Sequence, residues 1–237
     1  MINSLLKMIG LLFLFNCFSA AIYAEEKEEG FKSIFDGKTF NGWKAHDMSY
    51  FRIENESIIG EVTKDKPLKN NLFLIYQDAK PGDFELRLQF RISGSAKANS
   101  GIQFRGQWRE RDKHVLGYQA DIDLAGRWLG CLYDEAMPRK LLCKPGQHVT
   151  IDKDGKRKIT EFEGKKLDQI VKKGDWNDYH IYAKGHTIIL KINGHKTIEL
   201  TDHDVKHFDA SGILALQVHS GPPMKIKFRN IRLKTLK

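Results

Sequence analysis

From Phe84 to Ile92 the chain alternates without a break. Phe84, Leu86, Leu88, Phe90 and Ile92 are apolar; Glu85, Arg87, Gln89 and Arg91 are polar. Successive side chains of a strand point to opposite faces, so a period of two predicts a half-buried β-strand and excludes an amphipathic helix. The pattern returns along the chain. In "GIQFRGQW", Ile102 and Phe104 oppose Gln103, Arg105 and Gln107. In "GYQADIDL", Tyr118, Ala120, Ile122 and Leu124 oppose Gln119, Asp121 and Asp123. "HTIILKINGHKTIEL" reads as two strands about Asn193-Gly194, a dipeptide that tolerates the positive φ angles of a tight hairpin turn. "GILALQVHS" and "MKIKFRNIRLKTL" add two more strands. Helical periodicity is confined to a short stretch near Lys165 to Lys173. Many short strands separated by Gly, Asn and Asp turns predict an all-β sandwich or barrel.

The first residues stand apart. Lys7 is followed by the apolar run Met8 to Phe15, then by small residues up to Ala24. That order reads as a secretory signal peptide cleaved after Ala24 or Ala21. The run falls short of the roughly 20 apolar residues of a membrane-spanning helix, so no stable membrane insertion is expected once it is removed. Cys17 sits behind Asn16, a poor context for lipidation. Residues 25–30 are a short acidic linker, and residues 31–237 form the folded domain, with no internal repeat or second linker. A periplasmic or secreted location follows. In that oxidising setting a Cys131–Cys143 disulfide is permitted, with two buried thiols as the alternative. The formal charge of +9 is spread over interleaved Lys, Arg, Asp and Glu, and no nucleic-acid motif accompanies it, so it reads as a solvated surface.

Asp is depleted in strands, which makes the polar side of "GYQADIDL" unusual. Other strands share that bias. "GILALQVHS" sets Gln217 and His219 opposite Leu214, Leu216 and Val218. "GCLYDEAMPR" sets Tyr133 and Glu135 on one face, with Arg139 in the following turn. Four strands thus bring long polar groups to one side.

Six stretches in order, "FKSIFDGKTFNGWK", "NSGIQFRG", "GYQADID", "GCLYDE", "GDWNDYHIYAKGHTIILKING" and "SGILALQVHSGPPMKIKFRNIRL", resemble the 3-keto-disaccharide hydrolase family over about residues 31–237. The resemblance implies a concanavalin A-like jelly roll of two sheets. It also implies an activity on glycosides already oxidised to a ketone at sugar carbon 3. The ketone acidifies the hydrogen on carbon 2; a base removes it, the group on carbon 1 leaves, and water adds back. The expected partner is therefore an oxidised (3-keto) glycoside or disaccharide.

Such chemistry needs a base, an acid for the leaving group and an electrophile for the enolate. His219, Glu135, Asp121, Asp123 and Arg105 are the candidate catalytic residues. Histidine titrates near neutrality, and a planar guanidinium can clamp an enolate. Gln103, Gln119, Tyr133, Arg139, Gln217, Trp108 and Trp128 are the candidate substrate-binding residues. Asp121, Asp123, Glu135 and His219 also have the ligand types for a divalent metal cation, but no compact ligand spacing accompanies them, so a metal stays open here. His114, His148, His180, His186 and His195 read as surface residues, and Trp176 with Asn177 as a turn. The alternative function is a non-catalytic, lectin-like carbohydrate-binding module. An ordinary glucanase-like glycosidase would carry a strand close to "ExDxE", and "ADID" lacks the glutamates.

Overall fold

A computed structural model describes residues 29–237; the signal-peptide reading and most of the proposed linker lie outside the described residues. Two twisted sheets face each other. The larger runs in the order Arg157–Glu161, Gln147–Ile151, His195–Asp202, Thr187–Ile192, Asn177–Lys184, Phe84–Gly94, Met224–Thr235, Ser57–Val62 and Phe51–Glu54, with Lys32–Ser33 also paired to Met224–Thr235. The smaller runs Lys140–Cys143, Leu132–Glu135, His114–Asp123, Asn99–Arg109, Ile213–Val218, Leu72–Tyr76 and Trp43–Lys44. Among the described strands the pairings are antiparallel, except 147–151 with 195–202. This is the two-sheet jelly-roll sandwich that the alternation and the resemblance lead one to expect. The helical stretch shrinks to one turn, Leu167–Ile170, with only Ile170 buried. At the 193–194 turn, Asn193 (φ 49°) and Gly194 (φ 79°) both adopt positive φ, which fixes the register of the 187–192 and 195–202 strands.

The core lies between the sheets. Phe84, Leu86, Leu88 and Phe90 of the larger sheet meet Phe104, Tyr118, Ala120, Ile122, Leu214 and Leu216 of the smaller one in a single cluster. Phe84 and Phe104 make an edge-to-face contact across the interface at 5.9 Å, and Phe104 stacks on Tyr118 at 5.7 Å. Alternation then dictates that Gln103, Gln119, Asp121 and Gln217 stand on the far face of the smaller sheet. Cys131 and Cys143 are buried free thiols, each pushed up to about 12 by burial.

The 99–109 strand departs from the simple alternation. Gln103 pairs with Gln119, but Gln107 pairs with Leu116, so one extra residue is inserted between them. Such a bulge changes the phase of every side chain beyond it. Arg105, at φ 49°, is the residue that absorbs it. Its side chain leaves the polar face and is fully buried. It donates to the carbonyls of Gly82 and Gly185, both at 2.9 Å, and to Asp83 Oδ1 at 3.0 Å. Arg105 is thus a clamp between the sheets at one end of the sandwich, not a partner of Gln103. Gln107, grouped with Gln103 by alternation, bonds instead to Asp209.

Arg139 is also placed on the inner side of the sheet. Its Nε donates to Asp134 Oδ2 at 2.6 Å, its Nη1 to Asp202 Oδ2 at 2.7 Å and its Nη2 to the His207 carbonyl at 3.1 Å. Asp134 alternates with Tyr133 and Glu135 and so points inward where they point outward. Tyr118 Oη donates to the same Asp202 oxygen at 2.5 Å. The guanidinium therefore ties the two sheets together through buried carboxylates.

Candidate active site

On the outer face of the smaller sheet, Asn99, Gln119, Asp121, Trp128, Tyr133, Glu135 and His219 line a polar cavity of about 190 Å³. That is roughly six water volumes of ~30 Å³ each, the scale of one sugar ring. Neighbouring strands supply the lining at matched levels: Gln119 is paired with Tyr133 and with Gln103, Gly117 with Glu135, and Asn99 with Asp123. Gly101 has no side chain to block the middle. A Cβ there would lie 2.6 Å from Gln119 Cγ and Cδ, so the amide of Gln119 occupies that space.

The amides form a directed chain. Gln103 Nε2 and Gln217 Nε2 both donate to Gln119 Oε1, the latter at 2.9 Å, and Gln119 Nε2 donates to Asp121 Oδ1 at 2.6 Å. Tyr179 Oη, from the opposite sheet, reaches the Asp121 carbonyl at 3.3 Å. Asp121 is 4% exposed. Burial pushes its carboxyl well above the ordinary range, and the charges of Glu135 and Asp123 push the same way, against the bond from Gln119. The structure thus favours a neutral carboxylic acid here, with Oδ1 as acceptor and the other oxygen as the proton carrier.

Glu135 stands between two histidines. Its Oε1 lies 3.4 Å from His114 Nε2 and accepts from Asn71 Nδ2 at 3.4 Å. Burial raises the Glu135 carboxyl, while the nearby His114 and His219 pull it down by less. His219 Nδ1 is 2.5 Å from the Ser220 carbonyl oxygen, and His114 Nδ1 is 2.9 Å from the Val115 carbonyl. A carbonyl only accepts, so Nδ1 carries the hydrogen in both rings. In a neutral His219 the lone pair then resides on Nε2. The Ser220 N–H and hydroxyl both donate to Asn71 Oδ1, at 2.9 and 3.1 Å. Asn71 therefore fastens the His219–Ser220 turn to Glu135.

Of the residues singled out by sequence, Gln119, Asp121, Tyr133, Glu135, Trp128 and His219 come together in the cavity. Gln103 and Gln217 stand behind it through their amide bonds. Trp128 packs edge-on against Tyr133 at 6.1 Å. Asp123 is one strand step away and lines a different cavity. Trp108 lies at the strand end with its indole bonded to Glu110, and Arg105 and Arg139 are on the inner side of the sheet. Asn71, Asn99 and His114 were missed. His114 is not a surface residue: its side chain is 14% exposed and its ring lies 4.7 Å from Phe73. Among the described residues no group of three or more His, Cys, Asp or Glu side chains is arranged to hold a metal ion. The quartet Asp121, Asp123, Glu135 and His219 does not converge, because Asp123 faces elsewhere and Asp121 is engaged by Gln119.

The raised Asp121 gives a stability expectation. A carboxyl whose folded pKa lies above its unfolded value stabilises the fold below the unfolded pKa, and this is lost as pH rises through the folded one. Asp121→Asn keeps the acceptor for Gln119 without the charge. Its Tm should match the wild type near pH 4 and exceed it increasingly toward pH 8. Each kcal/mol moves Tm by roughly 2–4 °C in a chain of this size. Thermal denaturation across pH checks this; a variant less stable at pH 8 than at pH 4, relative to wild type, contradicts it.

The sequence model of the 3-keto-alpha-glucoside-1,2-lyase-like domain matches residues 30–234. The chain belongs to this family. Solved structures of similar fold accompany the match. A candidate glycosyl hydrolase from Parabacteroides distasonis is 20% identical, with 90% of this chain and 97% of that one covered and a TM-score of 0.60. The carbohydrate-binding module CBM66 from Bacillus subtilis is 13% identical, with 82% and 96% covered and a TM-score of 0.54. SCLam, a non-specific endo-β-1,3(4)-glucanase of family GH16, is 14% identical, with 89% and 93% covered and a TM-score of 0.53. At these identities the likeness is one of fold. No sequence among curated proteins matches. The family is a carbohydrate-related one, and the neighbours share the two-sheet jelly-roll fold.

Proposed function

We propose that the chain is an exported enzyme that cleaves 3-keto-glycosides by elimination and hydration. The observation that carries this reading is His219, its Nδ1 anchored and its Nε2 unprotonated when neutral, beside a protonatable Glu135 in the polar cavity of a family member. His219 Nε2 takes the proton from carbon 2, and the electron pair moves to the carbon 3 oxygen as an enolate. Asp121, held neutral by burial, donates a hydrogen bond to that oxygen, as a carboxylic acid kept neutral in an apolar site can. The enolate collapses, the bond from carbon 1 to the aglycone oxygen breaks, and Glu135 supplies the proton the aglycone leaves with. Water then adds its hydroxyl to carbon 1 and its proton to carbon 2, giving the free 3-keto sugar. His114 and Asn71 hold Glu135 in place and bias where its proton rests.

The second reading, a non-catalytic carbohydrate-binding module, draws on the amides of Asn99 and Gln119 in the cavity wall, with Gln103 and Gln217 bonded behind them. A binding module needs hydroxyl partners, whereas the His219–Glu135–His114 row adds titrating groups that binding alone does not need. Incubation with 3-keto-trehalose or 3-keto-sucrose separates the two. The enzyme releases free 3-keto-glucose; a binding module retains the intact disaccharide and releases nothing.

A further inference from the structure

The polar cavity is not the only hollow among the described residues. A second cavity of about 380 Å³ opens at the adjoining end of the sandwich, within the size range of small-molecule sites. Its lining is mixed, and the apolar part comes from Phe90 and Ile92 of the larger sheet, Leu124 and Leu129 of the loop after the 114–123 strand, and Leu167 and Val171 of the single helical turn and its end. Three lysines and three aspartates also line it, so no excess of one sign selects an ionic ligand.

The two cavities are lined from neighbouring positions of the same elements. Asn99 lines the polar one and its direct cross-strand partner Asp123 lines the apolar one. The same 124–130 loop serves both, with Trp128 on the polar side and Ala125 and Leu129 on the apolar side. Asp121 and Asp123 are two residues apart on one strand, about 7 Å. A sugar ring seated against Gln119, Asp121 and Glu135 therefore has the apolar hollow one step beyond it along the strand.

We infer that this second cavity is the aglycone subsite, and that it selects glycosides whose leaving group is an uncharged, apolar ring rather than a second hydroxyl-rich sugar. The inference rests on the reading of the polar cavity as the seat of the keto sugar. An apolar ring laid against Phe90, Ile92, Leu124, Leu129 and Val171 gains from leaving water, whereas a sugar hydroxyl turned toward those same side chains loses its water partner.

The test fills the cavity from two independent walls, Val171→Trp and Ala125→Trp. Ala125 is exposed, so its replacement does not burden the core. Kinetics are measured on the 3-keto-glucoside of 4-nitrophenol and on 3-keto-trehalose. Wild type should favour the nitrophenyl substrate, and both variants should lower kcat/KM for it by about tenfold or more, with a clearly smaller loss for keto-trehalose, whose glucose leaving group draws less on the apolar contacts. Equal effects on the two substrates, or none, overturn the inference. Calorimetry with unoxidised 4-nitrophenyl glucoside and methyl glucoside separates this idea from the chemistry. Tighter binding of the nitrophenyl compound that both tryptophan variants abolish supports the subsite even if neither keto substrate is cleaved. Binding that the variants leave intact refutes the subsite even if both substrates are cleaved.

Discussion

Arg139→Ala should cost about 3–5 kcal/mol of unfolding free energy, the range for removing one partner of a buried ion pair. The guanidinium side chain is 8% exposed; those of Asp134 and Asp202 are 2% and 0% exposed. Without it, two carboxylates face each other in the core, with the Tyr118 hydroxyl and the Asp204 N–H as the donors left to Asp202. Burial already raises the Asp134 carboxyl against the pull of Arg139, so in the variant the folded state gains still more from taking up protons. The sign follows: folded pKa values rise above unfolded ones, and the deficit shrinks as pH falls. Denaturant titrations at pH 5 and pH 8 should therefore show the larger loss at pH 8. A loss under ~1 kcal/mol at both would mean that the network is not the tie between the sheets.

His219→Ala and Glu135→Gln should each lower kcat by about 10²- to 10⁴-fold, the usual contribution of a positioned acid or base. Binding of the keto substrate should change little, because the amides and Trp128 remain. This split distinguishes them from Gln119, whose loss should weaken substrate and transition state alike. Asn71→Ala should resemble a milder Glu135 variant and shift the pH profile, since it loosens both Glu135 and the His219 turn. Near-normal turnover in both His219→Ala and Glu135→Gln would leave the polar face as a binding surface or a structural network.

What the sequence makes legible is what has a period. Tyr118, Ala120 and Ile122 inward with Gln119 and Asp121 outward follows from the pleat alone, and so does Gln217 opposite Leu216. Arg105 is lost because one inserted residue reverses the phase after Gln103, and no residue type announces a bulge that a non-glycine at φ 49° absorbs. Arg139 follows a turn, where alternation says nothing about the side to which a long side chain returns. His114 opens its strand an odd number of residues from Gln119, so alternation assigns it to the other face, and nothing local reports its contacts with Glu135 and Phe73. Asn71 reaches Glu135 across 64 residues of chain, and nothing local reports a contact of that range. Asp123 shares the strand face of Asp121, but the strand ends there and the next loop turns it toward the second cavity.

The central claim is that the hydrogen on carbon 2 leaves during turnover. Cleavage of 3-keto-trehalose in heavy water tests it directly, with the product examined at carbon 2 against an enzyme-free control for exchange of the ketone. Deuterium is expected at carbon 2 of every product sugar, entering as water adds after the aglycone has left, and lost together with release in His219→Ala. Product that keeps protium at carbon 2 while the aglycone departs would show direct displacement at carbon 1, and would contradict the elimination.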